Sequence, residues 1–79
     1  MPLKPAITGA QIRAARALLG WSARDLSRRC GVSHSAISRA EKSDAVPTMQ
    51  QRNLDAIRAA FEIEGVEFLN SSGLRLHKR

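Results

Sequence analysis

Seventy-nine residues with 43% apolar side chains but only two Phe and one Trp allow one small domain, with a core of Leu, Ile and Ala in place of an aromatic-rich sheet. No apolar run approaches the roughly 20 residues of a membrane span. The single Cys30 excludes an internal disulfide and fits a reducing cytoplasm, and residues 1–5, with one Lys and no long apolar stretch behind them, do not read as a secretory signal.

Pro2 and Pro5 make residues 1–7 a poor helix and an expected extended arm. Thr8 followed by Gln11 has the spacing of a capping box, and Ile12, Ala15 and Leu19 recur on one face of the helix it opens, which Gly20 ends. Ser22 caps a second helix over 23–30, with Asp25 near its positive end and Leu26 and Cys30 facing inward. Gly31 turns the chain, and Ser33 caps a third helix over 34–42 with Ile37 and Ala40 inside. After a loop at 43–47, Thr48 and Gln51 repeat the capping-box spacing and predict a fourth helix lined by Leu54, Ile57 and Phe61, stopped by Gly65. Residues 66–69 and 74–77 read as strands of a hairpin turned by Asn70, Ser71, Ser72 and Gly73. The expected organisation is mainly α: an arm over 1–7, four helices over 8–64, and a β-hairpin with a basic tail over 65–79.

Charge is divided unevenly along this plan. Of the net +6, residues 1–42 hold eight Lys or Arg against two acids, residues 43–70 two against five, and residues 71–79 three against none. A basic front half and an acidic middle suit a molecule with one side turned to phosphate.

The most informative segment is 23–42. A tight turn between two short helices needs a residue free to take positive φ, met by Gly31, and a plug just after it, met by Val32. It needs a small residue where the next helix crosses, met by Ser27, and apolar contacts between the helices, met by Leu26, Cys30, Ile37 and Ala40. Seven matched positions in one short stretch carry more weight than a lone Gly between helices.

At residues 13–22 and 31–41 the chain resembles the phage-repressor and Cro-like helix-turn-helix family, with the likeness extending over roughly 8–64. Ala23 stands where that family often carries Gln, Ser43 where it usually carries Gly, and the hairpin takes the place of a fifth helix found in many relatives. The resemblance implies a four-helix lambda-repressor-like domain whose third helix enters the major groove of DNA. It also implies an ion pair between Arg16 and Glu41 that fixes the angle of that helix.

In that geometry Ser33, His34, Ser35, Ser38 and Arg39 point away from the core and form the expected base-reading edge. Arg39 is the foremost of them, since a guanidinium can donate two bonds to guanine. Arg13, Ser22, Arg24, Arg28, Lys42 and Arg52 are the expected phosphate contacts, which position a protein on the duplex without specifying sequence. Adjacent Arg28 and Arg29 diverge on their helix, so at least one of them is expected to be solvated only.

An isolated hairpin is marginal in water, so the apolar residues Val66, Phe68, Leu74 and Leu76 must be covered. The fourth helix or the hairpin of a second chain could do this. The expectation taken forward is a homodimer through the hairpin, because one helix spans too few base pairs for tight specific binding. The function expected is sequence-specific binding of double-stranded DNA by a transcriptional regulator, a repressor recognising a short inverted repeat. The alternative is an antitoxin-like or adaptor module holding a partner protein.

Catalytic chemistry finds no support. Gly31 interrupts the helix between Cys30 and His34, leaving no set of four metal ligands, and Ser33, His34 and Ser35 diverge along a helix. No glycine loop for phosphate and no apolar carboxylate pair are present, so no enzyme, metal or cofactor is expected.

Overall fold

Each of the first three helices starts where a side chain satisfies its free amides. The computed structural model describes residues 6–70 and 73–77, with elements α1 (Gly9–Leu19), α2 (Ala23–Cys30), α3 (His34–Glu41), α4 (Gln51–Ile63), β1 (Val66–Phe68) and β2 (Leu74–Leu76). The prolines of the arm, Ser71 and Ser72 of the turn, and the last two residues of the tail lie outside the described residues.

At α1 the capping box is complete: Gln11 N–H donates to Thr8 Oγ1 at 3.1 Å, and Thr8 N–H donates to Gln11 Oε1 at 2.9 Å. α2 has a box of its own, because Asp25 does more than favour the helix end. Its N–H donates to Ser22 Oγ at 3.0 Å, and its carboxylate accepts from Ser22 N–H at 2.9 Å. That backbone donor is the main reason the Asp25 carboxyl is held below the usual carboxylate range. α3 opens on Ser33, whose hydroxyl oxygen accepts from Ala36 N–H at 3.2 Å.

The fourth helix corrects the sequence reading. Thr48 does not cap it; α4 starts at Gln51, its N-cap is Gln50 in extended conformation, and no side chain caps it. Pro47 is buried and Met49 packs against the core, and the chain bends at Thr48 and Met49 before Gln50. The Gln51 side chain turns forward and donates to Asp55 at 2.9 Å.

The core runs through all four helices and β1. Ile12, Leu26, Ile37, Ile57 and Phe61 are fully buried. Ile7, expected in the arm, is 1% exposed and joins them. Cys30, expected inside, is only half-buried at the end of α2; the burial it has pushes its thiol pKa up. Phe61 stacks on Trp21 at 5.5 Å between ring centroids and meets Phe68 edge-on at 5.9 Å, so aromatic contacts join α4 to the α1–α2 turn and the hairpin.

The hairpin is antiparallel, with Val66 opposite Leu76, Glu67 opposite Arg75 and Phe68 opposite Leu74. Val66 and Phe68 are buried, β1 packs on α4 and β2 on α1, so much of the apolar surface is covered within the chain. Gln11 fastens the turn: its Nε2 donates to the carbonyls of Asn70 and Gly73, while its oxygen closes the cap of α1. One side chain, 1% exposed, thereby serves a helix start and a hairpin end some sixty residues away.

Replacing Gln11 with Ala removes half a capping box and takes a donor from two carbonyls, of which that of Gly73 keeps the Leu69 N–H at 3.0 Å. The expected loss is about 2–3 kcal/mol of unfolding free energy, read from the urea midpoint. A loss below about 0.5 kcal/mol would show that water replaces these bonds freely.

Candidate nucleic-acid interface

The turn between α2 and α3 sets the direction of α3. Gly31 sits at φ 77 in the left-handed region, and its N–H donates to the Ser27 carbonyl at 2.9 Å. Val32, 5% exposed, plugs the space between the helices. Ser27 is more than small: its hydroxyl donates to the Val32 carbonyl at 2.7 Å, tying α2 across the turn. Ile37 and Ala40 hold the inner face of α3 on the core.

A second constraint comes from α1. Arg16 meets Glu41 in a two-pronged pair, Nε to Oε2 and Nη2 to Oε1, both at 2.7 Å. Its third nitrogen, Nη1, donates to the Trp21 carbonyl at 3.0 Å. The two side chains are 21% and 10% exposed, so water screens them little. The hydrogen bonds that Arg16 donates to the Glu41 carboxylate raise its pKa against the opposing effect of burial.

With its inner face occupied, α3 presents Ser33, His34, Ser35 and Arg39 to solvent, and Ser38 half-buried beside them. No hydrogen bond or ion pair holds the side chains of His34 and Arg39 among the described residues. Arg39 stands at the rim of an open groove of about 480 Å³ that Ala36, Met49, Gln50 and Asn53 also line. The recess continues the α3 edge toward the start of α4.

The residues proposed from sequence to meet phosphate fall into distinct settings. Arg24, Lys42 and Arg52 are exposed, and Arg52 Nε is held by Gln50 Oε1 at 2.9 Å. Ser22 is exposed with its oxygen engaged as the α2 cap. Arg28 pairs with Asp25 at 2.5 Å. Arg13 departs furthest from the expectation: its guanidinium pairs with Asp44 and donates to the Glu41 carbonyl at the end of α3. Arg29, adjacent to Arg28, points elsewhere, lying over the Trp21 ring at 4.7 Å and pairing with Glu64 at 3.2 Å.

A family model described as helix-turn-helix matches residues 12–68. The chain belongs to the Cro/C1-type helix-turn-helix family. Membership makes this helix-turn-helix chain a DNA-binding transcription regulator in general terms. No curated protein is similar enough to stand as a relative. Among the described residues, no helix is long and apolar enough to cross a membrane, and no group of three or more His, Cys, Asp or Glu is placed to hold a metal ion.

Sequence reasoning missed the contacts of Arg13 with the end of α3 and the ring contact of Arg29. The signal for the first was present: Gly9, Arg13 and Arg16 follow one another at four- and three-residue spacing, which places them on one face of α1. For Arg29 only the structure brings Trp21 and Glu64 within reach.

Glu41→Gln leaves the Arg16 charge largely buried without its partner, and is expected to cost about 2–4 kcal/mol in denaturant unfolding. Replacing both residues with Met and Leu should recover most of that loss. If the double replacement is as unstable as the single one, polar satisfaction of the Trp21 carbonyl is the dominant role of Arg16.

Proposed function

We propose that this protein is a repressor that binds a short inverted repeat in double-stranded DNA as a homodimer in the cytoplasm. Its α3 acts as the recognition helix, with Ser33, His34, Ser35, Ser38 and Arg39 reading base edges in the major groove. Arg24, Lys42 and Arg52 supply phosphate contacts, with Ser22 and Arg28 at the flank. The observation that carries this reading is the exposed polar edge of α3, whose Arg39 guanidinium is unengaged among the described residues, held at a fixed angle by the Arg16–Glu41 pair.

Homodimerisation through the hairpin draws support from what the chain leaves uncovered. Ile63, Leu69 and Leu76 are 68%, 43% and 37% exposed, and they lie in the hairpin or on the approach to it. Within the described residues the sheet has two strands, so the outer edge of β2 has unpaired backbone groups that a second copy could meet. A two-fold pair would present recognition helices to half-sites about 34–36 Å apart.

Selecting bound duplexes from a random pool is expected to return a palindromic consensus. Log affinity should fall with log salt at about −0.9 per phosphate neutralised. Arg39→Ala is expected to lower preference for the selected duplex by about 1–3 kcal/mol relative to random DNA; equal losses on both would reduce Arg39 to a phosphate contact.

Sedimentation at micromolar concentration should show a dimer that Leu76→Lys converts to a monomer. A wild-type monomer rejects the hairpin pairing. If that monomer also retains another protein through high salt, the hairpin serves as an adaptor surface instead, since apolar contacts resist screening.

A further inference from the structure

α3 lacks the ending that closes α1 and α2. Those helices finish on Gly20 and Gly31 in the left-handed conformation, where the chain folds back over its last carbonyls. α3 finishes on Lys42 at φ −70 and ψ −23, still right-handed. Beyond the Lys42 N–H, which donates to the Arg39 carbonyl at 3.3 Å, its closure comes from another helix. One guanidinium nitrogen of Arg13 donates to the Glu41 carbonyl, and another pairs with the Asp44 carboxylate. Two further features of α1 bear on the same stretch. Gly9 N–H donates to the Ala45 carbonyl at 2.9 Å, and a Cβ at Gly9 would run into the carbonyl oxygens of Ala40 and Ser43. Gly9, Arg13 and Arg16 thus form one face of α1 closed over residues 40–45.

We propose that Arg13 is a positioning residue for sequence reading, capping the C-terminal end of α3 from outside with Asp44 steering it. The proposal rests on the DNA-reading assignment of α3 given above. The last turn of a helix leaves carbonyls without intrahelical partners and carries a partial negative charge, so a guanidinium there satisfies both. Arg39 lies two residues before the capped carbonyl, and its approach to a base edge depends on how that turn is held. Engaged by a carbonyl and a carboxylate, Arg13 differs from Arg24 and Lys42, whose charged groups have no partner among the described residues.

The two roles open to Arg13 make opposite demands on Asp44. If Arg13 were a phosphate contact, Asp44→Asn would release it and remove a repelling charge, so every duplex would bind more tightly. Arg13→Gln would then weaken all duplexes evenly and flatten the salt slope by about 0.9. A positioning role reverses the pattern.

The experiment measures affinity for the selected duplex and for random duplex across a salt series, in the full chain and in Arg13→Gln, Arg13→Lys, Asp44→Asn and the Arg13→Gln/Asp44→Asn pair. The expected result is a loss of about fivefold or more in the selected-to-random ratio for Arg13→Gln, and a smaller loss in the same direction for Asp44→Asn. The double variant should be no worse than Arg13→Gln alone, as coupled groups require. Random-duplex affinity and its salt slope should hold, and Arg13→Lys should restore part of the ratio. Because Asp44 is 84% exposed, its variant keeps the test open if Arg13→Gln folds poorly. An even loss with a flatter slope for Arg13→Gln, or general tightening by Asp44→Asn, overturns the proposal while wild-type preference stands. A wild-type chain that prefers no duplex overturns the DNA reading and this proposal together.

Discussion

The guanidinium of Arg16 joins three parts of the chain that share no covalent neighbour: the last turn of α1, the carbonyl of Trp21 in the turn before α2, and the carboxylate of Glu41 at the end of α3. Hydrophobic burial alone would leave α3 free to roll, because Ile37 and Ala40 offer a narrow, smooth contact. A planar group with donors in fixed directions removes that freedom. A largely buried pair of this kind contributes little net stability, since desolvation offsets most of the attraction. Its contribution is angular. The outward edge of α3 keeps one orientation because its inward end is fixed.

Much of this was legible in the sequence. Turn glycines, capping spacings and apolar periodicity are local signals, and they located α1, α2, α3 and the hairpin to within a residue or so. Gly31 and Val32 announced the turn between α2 and α3 because a left-handed residue and a plug are stringent local demands. The start of α4 was misread because Thr48 and Gln51 have the right spacing, while the burial of Pro47 and Met49 is a tertiary matter that spacing does not encode. Cys30 was placed too deep for a related reason. It falls on the inward face of α2, but the helix ends there and leaves its side partly open.

At the candidate interface, identity was more legible than partnership. That Ser33, His34, Ser35 and Arg39 face outward follows from helical periodicity once Ile37 and Ala40 are inward. Which cations stand free does not follow. Arg13, Arg24, Arg28 and Arg29 look alike as basic residues in the front half, yet Asp44, Asp25 and Glu64 engage three of them and leave Arg24 without a partner among the described residues. Net charge therefore overstates the cation density offered to a duplex, and among the described residues the free set narrows toward Arg24, Arg39 and Lys42.

Gln11 joins the far ends of the molecule mechanically as well as chemically. The helix whose far face closes over the tail of α3 also grips the hairpin tip through the carbonyls of Asn70 and Gly73. Anything seated on the hairpin is thereby in rigid register with the groove-facing edge, transmitted through a single eleven-residue rod. The spacing and tilt between such a seat and that edge are built into the fold and need no linker to measure them.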